Sequence, residues 1–77
     1  MRDKYDFIKV DVAIEIIAEM IADASIALSK ETAQDKIKEL ETRRKLYKKQ
    51  REQIYSFDME TVQFVIDIYG AELKKQR

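Results

Sequence analysis

Cysteine, proline, histidine and tryptophan are absent from this chain, and glycine occurs once. Without cysteine or histidine there is no zinc finger, iron–sulfur cluster, disulfide framework or thiol nucleophile. The lack of histidine also removes the imidazole base of a catalytic triad. One glycine is too few for a P-loop or a G-x-G-x-x-G turn, where several glycines let the backbone approach phosphate. So few turn-forming residues argue against a many-stranded β fold. An excess of charge is missing too: 15 basic side chains balance 15 acidic ones, so net charge selects no partner. A charge-free apolar run is lacking as well. The stretch from Val10 to Leu28 is long enough to span a bilayer but contains Asp11, Glu15, Glu19 and Asp23. Each acid near a bilayer centre costs roughly 2.5–3.5 kcal/mol, which excludes a transmembrane helix. The segment also lacks the form of a signal peptide. The expectation is a soluble, cytoplasmic protein without cofactors.

What remains is 77 residues, 45% hydrophobic and 39% charged, enough for one helical domain over 1–77. Val10, Ile14, Ile17, Ile21, Ala24 and Leu28 alternate steps of four and three, the spacing of one helical face. The four acids above step by four and make a polar stripe beside a broad apolar surface. A first helix over about 6–28 follows, with Asp6 or Asp3 as N-cap. Ala33, Ile37, Leu40, Arg44, Tyr47, Arg51 and Ile54 repeat the spacing in a shifted phase. The shift places a turn near 28–32 and a second helix over about 30–55, started by Ser29 or by a Thr32–Asp35 capping box. One unbroken helix through both is the rival reading. In the third segment Asp58, or equally Ser56, caps a helix over about 58–75. With Asp58 as cap, Phe57 and Val62 stand at the positions of a hydrophobic staple. Gly70 either ends this helix or sits inside it at about 1 kcal/mol; continuation is preferred.

The fold class read from this pattern is all-α: a helical hairpin plus a third helix in an up-down bundle. The apolar arcs of the first and third helices exceed the roughly 100° that such a bundle needs. The charged second helix cannot cover both. Small domains recover stability by assembling, and closed twofold pairing is the commonest solution. A homo-oligomer, with a dimer favoured, is therefore expected. Its interface is expected on Ile14, Ile17, Ile21 and Leu28 of the first helix and Phe57, Val62, Phe64, Val65, Ile68 and Tyr69 of the third. Phe57, Phe64 and Tyr69 are its aromatic anchors.

Two charged features bear on function. Residues 1–29 carry three basic and six acidic side chains, and residues 30–55 carry nine and five. Within the second group Arg43, Arg44, Lys45, Lys48, Lys49 and Arg51 form a run without an acid. Such a run suits phosphate backbones or an acidic partner. On a helix, however, these charges point around the cylinder, and a solvated or ion-paired face is the plainer account. The acidic stripe is the one constellation able to hold a hard cation, with Glu60 or Asp67 as further donors. Its regularity is that of an outward face, so no metal site is expected. The reading is a non-enzymatic, self-associating protein-interaction module, of a plan common among small bacterial or phage helical proteins. The alternative is a nucleic-acid-binding regulator using the basic run.

Overall fold

The computed structural model describes residues 4–76, and among these there are three helices and no strand. Helix α1 (Lys4–Lys30) and helix α2 (Gln34–Tyr55) form an antiparallel hairpin. Helix α3 runs over 59–75 in three sections: Met59–Phe64 is α-helical, Val65–Tyr69 is a π turn, and Gly70–Lys75 is α-helical again. The molecule is elongated, with principal extents of 47 × 25 × 15 Å.

The break between α1 and α2 is real, and it sits slightly later than the periodicity predicts. Ser29 does not cap the second helix. Its Oγ donates to the Ile26 carbonyl at 2.6 Å and holds it in the last turn of α1. Nor does the Thr32–Asp35 box form, because the N-cap is Ala33, which makes no side-chain bond. Glu31 takes over instead: its Oε1 accepts from the amides of Thr32 and Ala33 at 3.2 and 3.1 Å. At the other end of α1, Asp6 lies in the first turn rather than at the cap. Asp3 lies outside the described residues.

The second corner is built from side chains where a glycine is usual. The Asp58 amide donates to the Gln53 carbonyl and the Phe57 amide to that of Ile54, both at 3.0 Å. This is the paired bonding of a Schellman motif, whose left-handed residue is commonly glycine. Here that residue is Phe57, with φ of 59°. Left-handed backbone costs an L-residue roughly 1–2 kcal/mol. The Phe57 ring offsets this by packing against the core and edge-on against Phe7, with centroids 5.2 Å apart. Asp58 then caps α3 as expected, its Oδ1 accepting from the Thr61 amide at 3.3 Å. Ser56 serves the preceding helix, its Oγ donating to the Glu52 carbonyl.

The core lies where all three helices meet. Ala13, Ile17, Ile54, Val62 and Val65 are fully buried, and Val10, Met20, Ala24, Tyr47, Tyr69 and Leu73 nearly so. Burying an aliphatic side chain of this size contributes roughly 1.5–3 kcal/mol. Gly70 continues the helix, with φ of −59°. The preceding π turn sends its amide to the Val65 carbonyl.

Candidate interaction surface

Helix α3 covers one side of the hairpin, and polar bonds lock it there. Tyr69 donates its hydroxyl to Gln50 Oε1 at 2.9 Å, and Thr61 Oγ1 donates to Gln53 Oε1 at 3.2 Å. On the α1 side, Lys9 Nζ donates to Gln63 Oε1 at 3.3 Å. The rings of Tyr47 and Phe64 each stand edge-on to Tyr69, at 5.3 and 5.2 Å. Such pairs add about 0.5–1.5 kcal/mol beyond burial.

This docking uses part of the expected interface within the single chain. Ile17, Val62, Val65 and Tyr69 are spent inside the single chain, at 0, 0, 0 and 7% exposure. In this packing they offer nothing to a second copy. The physical reason is that α3 folds back on its own hairpin, so the broad arcs of α1 and α3 first satisfy each other. Phe57 is half-buried against Phe7. Phe64 and Ile68 do remain exposed, at 44 and 45%, on the side of α3 that turns away from the core. Ile14, Ile21 and Leu28 are half-buried.

Those last three define a second side of the hairpin. At 100° per residue they lie well round α1 from Lys9, Val12 and Ile16, which meet α3 or border it. On α2 the equivalent row is Ile37, Arg44 and Arg51, all half-buried. The Phe7–Phe57 contact sets the register. Counting along the antiparallel helices from it, Ile14 falls within one residue of the level of Arg51, Ile21 of Arg44 and Leu28 of Ile37. In the sequence the two arginines fall in the same spaced row as Ile37, Leu40, Tyr47 and Ile54. In the structure they border an aliphatic row on the hairpin side opposite α3.

The rest of the basic run does not gather on one face. Arg43 pairs with Glu39 at 3.0 Å within α2, both side chains largely exposed, an arrangement worth little. Lys45, Lys48 and Lys49 are exposed. In the acidic stripe Asp11, Glu15 and Asp23 are exposed and Glu19 half-buried, so the stripe faces outward. Asp67 Oδ1 accepts from Gln63 Nε2 at 3.0 Å. Among the described residues no cluster of acids is placed to hold a metal ion. Nor is any helix among them long and apolar enough to cross a membrane.

Because α3 stops short of the hairpin tip, a cleft of about 340 Å³ opens between Ala24, Ala27 and Leu40, with Tyr47 at its inner end. Asp23, Arg43 and Glu72 border it. Burial pushes the Tyr47 phenol above its usual value, Tyr69 and Glu72 reinforcing the shift and Arg43 opposing it. The cleft carries charge of both signs and no nucleophile–base pair.

No family model, curated protein or solved structure compared with this chain matches it.

Proposed function

We propose that this protein is a non-enzymatic interaction module whose first partner is a second copy of itself. One observation carries the reading. Nine large apolar side chains among the described residues stay 40% or more exposed, and a further row on the hairpin is only half-covered. Scattered exposed apolar residues are normal, but contiguous rows mark contact surfaces. A melting series over a roughly hundredfold range of protein concentration tests it, since linked assembly makes the midpoint concentration-dependent. The midpoint rises with concentration if folded chains associate. A constant midpoint contradicts self-association.

The basic run supports the nucleic-acid alternative only through Lys45, Lys48 and Lys49, which are exposed and adjacent along α2. Three lysines neutralise few phosphates, and the fall of affinity with salt counts them. The self-association reading predicts no retardation of a generic duplex at physiological salt. A steeply salt-dependent complex would favour the alternative.

A further inference from the structure

The hairpin side opposite α3 is unsatisfied in two ways at once. Its aliphatic residues, Ile14 and Ile21 on α1 with Ile37 on α2, are only half-buried, Ile14 and Ile21 reaching the core from its edge. Its two arginines, Arg44 and Arg51, are also half-buried. Among the described residues neither guanidinium has a hydrogen-bond or ion-pair partner. Arginine stems lie readily along apolar surface while the head seeks an acid. The nearest rich source of acids is the outward stripe of α1. Yet among the described residues no ion pair joins Arg44 or Arg51 to Asp11 or Glu15 within the chain.

Resting on the self-association proposed above, we infer that a second copy of this chain covers this side, with α1 of each copy lying over α2 of the other. The twofold axis runs parallel to the helices. Charge decides among the closed arrangements. Placing α1 on α1 of the partner would set Asp11 and Glu15 against their own copies, and placing α2 on α2 would oppose the arginines. Only the crossed arrangement sets an acidic helix on a basic one, twice, by symmetry. Arg51 of one copy then lies at the level of Ile14 of the other, between Asp11 and Glu15. The four hairpin helices become a bundle, with α3 of each copy on the outside.

Charge exchange tests the arrangement. The variant Arg51→Glu and the double variant Asp11→Lys, Glu15→Lys each carry like charges across both symmetry-related copies of the Arg51 contact. Each is expected to run at the monomer mass of 9.1 kDa at concentrations where the parent runs at twice that mass. Mixed in equal amounts they restore matched charges at both contacts, and the mixture returns to the dimer mass. That recovery also shows that the two variants are folded. A parent that dimerises while the variants keep its mass overturns this inference but leaves self-association intact, with Phe64 and Ile68 as the next face to alter. Variants that stay monomeric on mixing overturn the crossed arrangement. A monomeric parent overturns both proposals.

Discussion

At the scale of single residues, Phe57 shows how a glycine-poor sequence turns a corner. It accepts left-handed backbone because its ring is held against Phe7. Two substitutions separate these contributions. Phe57→Ala loses the ring and keeps the backbone cost, whereas Phe57→Gly loses the ring and removes that cost. The glycine variant is therefore the more stable of the two, by about 1 kcal/mol in urea unfolding, the reverse of the order expected in a regular helix. Gly70 is the complementary case. Its backbone is helical, and an added Cβ would meet the Ile16 Cδ1 at 3.4 Å and the Val65 carbonyl oxygen at 3.9 Å, both ordinary contacts. Gly70→Ala is expected to stabilise by about 0.5–1 kcal/mol. A fall in melting temperature would show that the π turn needs the glycine.

Tyr47 links burial to pH. Its folded pKa lies above the ordinary 10.0, so the folded state holds the proton more tightly than the unfolded one. The stability this contributes is complete below pH 10 and is lost as pH rises past 10 through the folded value. Melting curves between neutral pH and pH 11 will fall more steeply for the parent than for Tyr47→Phe. Equal slopes would deny that burial of the phenol matters.

At the scale of elements, what the sequence made legible was whatever depends on local spacing. Helices α1 and α3 follow from apolar steps of three and four, and the hairpin break follows from the change of phase after Leu28. The Asp58 cap follows from the residue types around it. The start of α2 was less legible because two good capping sequences compete near it. Ser29 found a carbonyl three residues back in the last turn of α1, and Glu31 took the free amides. The π turn at Val65–Tyr69 has no sequence signature here; it arises where α3 settles onto α1. The surface was half legible. Spacing shows that α1 and α3 carry more apolar surface than one neighbour can cover. It does not show that α3 would take Ile17, Val62, Val65 and Tyr69 for the chain's own core, since this depends on a fold-back through the Phe57 corner. This division of apolar residues has a measurable consequence. Ile17→Ala, at a fully buried site, should cost about 2–5 kcal/mol. Ile68→Ser, at an exposed one, should change the stability of the single chain by about 0.5 kcal/mol or less. Comparable losses at the two positions would place Ile68 in a buried contact.

At the scale of the whole molecule, balanced charge is not even charge. The acidic helix and the basic helix lie beside each other in one chain, yet their charges point away from the shared core. In the crossed arrangement proposed above, each hairpin complements another hairpin turned half around. In this account the aliphatic row supplies the affinity, and Arg44 and Arg51 set the orientation, in keeping with the usual division between apolar and charged contacts at interfaces. Added salt should therefore slow assembly more than it weakens it, because exposed charges are screened within about 10 Å at 0.1 M.

The most direct measurement is the molar mass of the chain in solution, by light scattering during size exclusion at low and at high salt. The account predicts twice 9.1 kDa at both salts. A single species of 9.1 kDa at every concentration would contradict it, and would leave the hairpin side opposite α3 to a partner other than this chain.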